Sequence, residues 1–297
     1  MAAPFSLVPA GGGRHVLKMK TNILKALTAV IFAAGILAPA AFPAFAQNDT
    51  NRFHALVLAE RGDQHEAFVV AALEWLKTTA ATDHFAIDVF ENPNQFNKEF
   101  LARYQVIIQL NYPPYRWSDE AKAAFQDYIE QGRGGWVGLH HATLLGEFDG
   151  YPMWPWFSDF MGGIRFKSYI AKRVAGTVVV EDAAHPCLQG VPATFVVEQE
   201  EWYTYDKDPR PNVHVLAHVD ESSYQPSSDI KMGDHPVIWT NEKMKARNIY
   251  ILMGHHPSLF TNDAYKTLLR NAILWAAGDN DREKAGAGET NNVTKKP

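Results

Sequence analysis

Residues 106–110 read VIIQL, and residues 135–141 read GWVGLHH. Each holds a short, near-continuous apolar run of the kind that forms a strand buried on both faces, as in a parallel sheet covered by helices. The chain around them fits that reading. Phe53–Ala59 (FHALVLA) is another short apolar run, followed by a Gly62-Asp63-Gln64-His65 loop. Phe68, Val69, Ala72, Leu73 and Leu76 then recur at helical spacing. Phe85–Phe90 reads as a strand and Phe96–Tyr104 as a short helix. Ser118 is placed to cap a helix with Asp119 and Glu120 in its first turn, and Gly132 to stop it. Strand–helix alternation with buried strands predicts an α/β fold, a flavodoxin-like three-layer αβα arrangement with a mostly parallel central sheet.

After His140 the pattern changes. Tyr151–Gly163 is aromatic-rich, and candidate strands follow at Thr177–Val180, Thr194–Val197, Val213–Val219, Pro236–Trp239 and Asn248–Met253. A last helix is expected over Ala264–Ala277. Neither an internal repeat nor a linker divides this stretch, so residues 47–278 read as a single α/β domain with a strand-rich insertion.

The 297 residues are 46% hydrophobic and 21% charged, the balance of a globular chain rather than a disordered or fibrous one. Met19–Ala46 carries Lys20 and Lys25, then an apolar stretch, then Ala44-Phe45-Ala46 before polar Gln47. That is the pattern of a secretory signal peptide cleaved after Ala46, so a periplasmic or secreted protein is expected, with no stable membrane insertion after cleavage. Met1–Lys18 lacks signal character and reads as an over-extended start. Residues 279–297 are polar and Gly-rich and are expected to be a disordered tail. The net charge of −5 becomes about −9 once Arg14, Lys18, Lys20 and Lys25 leave with the leader, which argues against a nucleic-acid partner. The single cysteine, Cys187, excludes an internal disulfide framework. The oligomeric state is not legible.

Ligands of open parallel sheets bind beyond the carboxyl ends of the strands. Polar residues follow strands at His65, at Asn111-Tyr112, at His140-His141 and at Gly254-His255-His256. Their convergence on one edge is the main functional expectation. His at the strand-to-helix turn after GWVGL suits acid–base or metal-ligand chemistry better than acyl-enzyme chemistry. In Glu198–Tyr205 (EQEEWYTY), alternation puts Glu201 and Tyr203 on one face, where aromatic surroundings would raise the pKa of Glu201 and make it an acid. His140, Glu201 and His255 are therefore the expected catalytic residues, as general base, general acid and substrate contact. His65, Tyr112, His141, Trp202, Tyr203 and His256 are the expected substrate contacts, because flat amphipathic rings suit a carbohydrate ligand.

The segments assembled here resemble the ThuA-like (trehalose utilisation) family. The likeness runs through Gly134–His140, Met161-Gly162-Gly163 with Phe166, His185-Pro186, Glu200-Glu201-Trp202-Tyr203, Val215-Leu216, Asp220, Pro236–Trp239, Ile249-Tyr250, Gly254-His255 and Trp275-Ala276. It covers about residues 53–278. The resemblance implies a variant of the class I glutamine amidotransferase-like fold. In that fold the turn after the GWVGL-type strand carries a nucleophilic Cys; here it carries Leu139-His140, so glutamine amidotransferase activity is not expected. Two departures from the family stand out. Glu200-Glu201 replaces the usual Asp-Glu, and Met244–Asn248 keeps only Arg247 of a usual Gly-Lys-Gly-Arg run.

The resemblance implies a role in carbohydrate utilisation. The main expectation is a keto-sugar isomerase or lyase, or a glycoside-processing hydrolase, using His/Glu acid–base chemistry on a small carbohydrate. One alternative is a metal-dependent hydrolase, with a divalent metal such as zinc on His140, His255 and His185 or Glu201. No HExxH-type spacing supports it, and no metal ligand set is assigned. The other alternative is a carbohydrate-binding protein without catalysis.

Overall fold

The computed structural model describes residues 50–278. The leader over 1–46, its upstream segment 1–18 and the tail 279–297 lie outside the described residues. The front half alternates as the apolar runs require: β1 (His54–Ala59), α1 (Glu66–Asp83), β2 (Ala86–Phe90), α2 (Lys98–Leu101), β3 (Val106–Leu110), α3 (Asp119–Glu130) and β4 (Gly135–Leu139). Every residue of β3 and β4 is buried, which is why those runs lack alternation. The Ser118 side chain caps α3 by accepting the Ala121 N–H at 3.2 Å. The helix expected over Phe96–Tyr104 shrinks to α2, capped where the Asn97 side chain accepts the Phe100 N–H.

The back half adds α4 (Pro155–Phe160), β5 (Phe166–Ser168), β6 (Val174–Val180), β7 (Thr194–Glu200), β8 (Thr204–Tyr205), β9 (His214–Gln225), β10 (Pro236–Thr240), β11 (Asn248–Ile251) and α5 (Asp263–Ala276). Strands β5 and β8 form a separate two-stranded ribbon. The other nine make one sheet in the order β2-β1-β3-β4-β11-β10-β9-β6-β7. The strand-rich insertion is thus no separate body. It enters after β4, adds four antiparallel-paired strands to the sheet, and returns as β11 parallel to β4.

The pairings set every strand's direction. Strands β2, β1, β3, β4 and β11 are parallel. Alternation beyond β11 reverses β10, restores β9, reverses β6 and restores β7. Strand β7 therefore ends on the same edge as the parallel set. In a flat sheet, four strand spacings would hold β7 about 19 Å from β11. Glu200, the last residue of β7, nonetheless accepts the Gly254 N–H beyond β11 at 2.9 Å. The antiparallel half must curl over that edge.

Helices α1 and α5 are joined by a bidentate pair, Arg270 to Asp83 at 2.6 and 2.7 Å. On the opposite face Phe125 of α3 stacks on Phe157 and meets Trp117 and Trp154 edge to face, and Trp136 of β4 meets Phe157 and Phe160 of α4. This is the three-layer α/β architecture expected. The aromatic-rich stretch Tyr151–Gly163 supplies core and a short helix. Among the described residues, no helix is long and apolar enough to cross a membrane.

Candidate functional site

Four parallel strands end in polar residues at one edge: Glu60 after β1, Asn111 after β3, His140 after β4, and Gly254-His255 just beyond β11. Two of these residues have left-handed backbones, Asn111 at φ +61° and His140 at φ +42°. Non-glycine residues adopt that region at a cost, and such strain concentrates at functional sites. The His140 turn is held from several sides. Its carbonyl accepts the Tyr250 hydroxyl at 2.9 Å and the Thr143 hydroxyl at 3.2 Å. Thr143 Oγ1 in turn lies 2.6 Å from the Tyr250 hydroxyl and 2.8 Å from that of Tyr205. Gly254 is required by close approach: a Cβ there would stand 2.6 Å from His140 Cβ. The crowding is with the histidine and with Asn111 Oδ1, 2.9 Å away.

His140 is fully buried. Its Nδ1 lies 3.0 Å from the Leu252 carbonyl, which can only accept, so the proton sits on Nδ1. Nε2 is left buried without a hydrogen-bond partner among the described residues, 3.5 Å from Glu201 Oε2. The same carboxylate oxygen stands 3.3 Å from His255 Nδ1, and His255 Nδ1 stands 3.0 Å from His65 Nε2. Glu200 fixes the frame, accepting the backbone N–H of Gly254 and of His255 on one oxygen and that of Glu201 on the other.

Burial opposes a charge on His140, but Glu200 and Glu201 outweigh it and its pKa is raised. Burial and the neighbouring imidazoles of His141, His140 and His255 hold His65 well below the ordinary imidazole value. Burial alone would raise the carboxyl of Glu201, yet the imidazoles of His140 and His255 beside it drive it far below the usual carboxylate range. Glu201 is therefore an ionised carboxylate, not the general acid that its aromatic neighbours suggested, because the imidazoles are nearer than the rings.

Beside this cluster opens a cavity of about 410 Å³. Glu60, His65, His141 and Glu201 form its polar wall. Tyr115, Phe148, Phe166, Tyr169 and Tyr203 form an aromatic one, with the Arg116–Asp149 ion pair also lining it. His141 Nδ1 is 2.8 Å from Glu60 Oε2, and its ring meets that of His65 at 4.0 Å between centroids. Burial lowers the His141 pKa against the opposing pull of Glu60.

The expected residues thus divide. His65, His141, Glu201 and Tyr203 line the cavity, and His140 and His255 lie behind Glu201 without reaching it. His140, expected as the base, is thus kept from the cavity, and its neighbour His141 reaches it instead. Trp202 is core: its Nε1 donates to the Val174 carbonyl at 3.0 Å and its ring stacks on Tyr224. The alternation expected through this stretch is interrupted: residues 201–203 lie between β7 and β8 and belong to neither strand, and Trp202 has a left-handed backbone at φ +38°. His256 caps the turn Pro257–Thr261 by accepting the Ser258 N–H. Tyr112 packs on Trp117 and is not part of the cavity lining, where Tyr115 stands instead. His185 packs against Trp275, apart from the cluster. His235, a histidine not among those expected at the site, bonds Glu221, the Tyr224 hydroxyl and the Tyr203 carbonyl. Glu60 was missed, although the rule that singled out Asn111 and His140, a polar residue directly after a buried strand, also singles it out.

The trehalose-utilisation family model matches residues 54–276. The chain belongs to the ThuA family. A ThuA-like protein from Bacteroides uniformis is 31% identical over 79% of this chain and 95% of its own, with a TM-score of 0.69. A second, from Parabacteroides merdae, is 19% identical over 76% of this chain and 90% of its own, with a TM-score of 0.55. The cytoplasmic protein STM1381 from Salmonella typhimurium is 12% identical over 75% and 99%, with a TM-score of 0.50. No curated protein matches. Family membership associates the chain with carbohydrate utilisation.

Proposed function

We propose that this ThuA-family chain is an exported enzyme that acts on a keto-sugar or related sugar derivative by acid–base chemistry at the cavity. One observation carries the reading: the Glu60–His141 pair at 2.8 Å in a cavity that aromatic rings also line. The carboxylate holds the proton on Nδ1 and leaves Nε2 as the basic nitrogen, the arrangement of an oriented general base. The rings of Tyr115, Phe166 and Tyr203 offer flat apolar surface to a sugar. The cavity volume falls within the range of small-molecule sites.

A keto group acidifies the C–H beside it. His141 Nε2 takes that proton, and the electron pair passes to the keto oxygen as an enolate. Where the deprotonated carbon carries a hydroxyl, that hydroxyl's proton passes to the enolate oxygen, and return of the carbon-bound proton to the former keto carbon completes an isomerisation. Where the next carbon carries a leaving group, collapse of the enolate to the ketone expels it with uptake of a proton and completes an elimination instead. Export rests on the Met19–Ala46 leader.

The test is turnover of a panel of keto-sugars and their parent sugars, followed by NMR. Conversion of keto-sugars and not of their parents is expected. Binding of a sugar by calorimetry with no product from any member would replace the enzyme with a carbohydrate-binding protein.

A further inference from the structure

The four atoms His65 Nε2, His140 Nε2, His255 Nδ1 and a Glu201 oxygen converge behind the cavity wall. Ligand atoms of these four residues all lie within 4.8 Å of one another. The neighbouring separations are 3.0, 3.3 and 3.5 Å. Four ligands about 2.05 Å from one tetrahedral ion stand about 3.3 Å apart, so the spacing is that of a shared cation.

Protons satisfy the cluster poorly. His140 Nε2 is fully buried and lacks a hydrogen bond. His65 Nε2 and His255 Nδ1 face each other at 3.0 Å, so only one of the two can carry a proton between them. Glu201 brings a carboxylate among them at 5% exposure. The supporting contacts are also those of ligands. His140 Nδ1 is pinned by the Leu252 carbonyl, and His65 Nδ1 lies 3.5 Å from Glu60 Oε2. A partner on the far ring nitrogen fixes the tautomer that leaves the other nitrogen free for a metal.

We propose that His65, His140, His255 and Glu201 bind one divalent transition-metal ion of the zinc class. Three imidazoles and one carboxylate suit zinc and its neighbours, and not calcium or magnesium. His65 and Glu201 line the cavity while His140 and His255 close the rear, so a fifth position, reached when such an ion expands beyond four ligands, would face the substrate. A keto-sugar offers a carbonyl oxygen beside a hydroxyl, a chelating pair for such an ion. The metal would hold the oxygen that becomes negative when His141 removes the adjacent proton. The substrate class rests on the function proposed above; the metal site stands on its own geometry.

The experiment is titration of chelator-stripped full-length protein with Zn²⁺ alone by calorimetry, and with Co²⁺ by visible absorption. One equivalent of zinc and Co²⁺ bands of a nitrogen-rich site are expected. His140→Ala and His255→Ala should weaken zinc by about 100-fold or more, and the near-isosteric Glu201→Gln by about 10-fold or more. His214→Ala, at an imidazole paired with Glu242 outside the cluster, should bind zinc as the parent does. Folded parent protein without stoichiometric binding would overturn the site, as would undiminished affinity in folded Glu201→Gln. Zinc binding without keto-sugar turnover would remove the proposed reaction and keep the site. Turnover by the metal-free protein would keep the reaction and remove the metal's part in it, leaving the titration to decide the site.

Discussion

Glu60 Oε2 stands 2.8 Å from His141 Nδ1, joining the end of β1 to the turn after β4 across the mouth of the sheet edge. The pair orients a ring that no strand holds directly. His141→Ala is expected to lower kcat on a keto-sugar by about 10²–10⁴-fold with little change in KM, the usual weight of a general base. Glu60→Gln should fall in the same direction by less, since the ring remains. Steady-state kinetics on both variants check this, and a change confined to KM would reduce His141 to a binding contact.

Gly254→Ala should damage the site by geometry alone. The new methyl would stand 2.6 Å from His140 Cβ, and neither backbone can retreat, because Glu200 holds Gly254 and the Tyr250 hydroxyl holds the His140 carbonyl. A destabilisation of about 1–3 kcal/mol is expected, with loss of activity exceeding it. Thermal unfolding together with kinetics reads both. An unchanged Tm would show that the His140 turn is looser than the distances state.

How much was visible before the structure depends on where the deciding contacts lie. Strand β4 was legible to the residue, because five buried positions between Arg133-Gly134 and His140 leave a continuous apolar run. Strands β5 and β8, at three and two residues, are too short to show a period. The edge that collects His65, Asn111, His140 and His255 was legible from strand ends alone. Which of His140 and His141 meets the cavity was not, because the left-handed turn at His140 and the Leu252 carbonyl decide it. Glu201 was found for the wrong reason: its neighbours in sequence are aromatic, but its neighbours in space are imidazoles.

Thr143→Val removes the hydroxyl that meets both Tyr205 and Tyr250 at 2.8 and 2.6 Å. Two buried phenol groups then lose a partner. A loss of about 1–3 kcal/mol is expected by chemical denaturation. A neutral result would show that the 3.3 Å contact between the two tyrosines satisfies them.

Acid stability should depend on Arg210. Its hydrogen bonds to Glu181 and Asp234 hold both carboxyls below their ordinary values. A depressed folded pKa adds stability above the unfolded pKa, and that stability is lost as pH falls through the folded one. Arg210→Gln should therefore be less stable than the parent near neutral pH, by under about 1 kcal/mol because the pairs are half exposed, and equal to it well below pH 4. Tm against pH for both proteins checks the convergence; a gap constant across pH would assign the effect to packing.

Removal of a proton next to a keto group in the cavity is read by following a keto-sugar in D₂O by proton NMR. Protein-dependent loss of the signal from the C–H beside the keto carbon is expected, and its persistence with His141→Ala. An undiminished signal with the parent protein, or equal exchange with the variant, would contradict it.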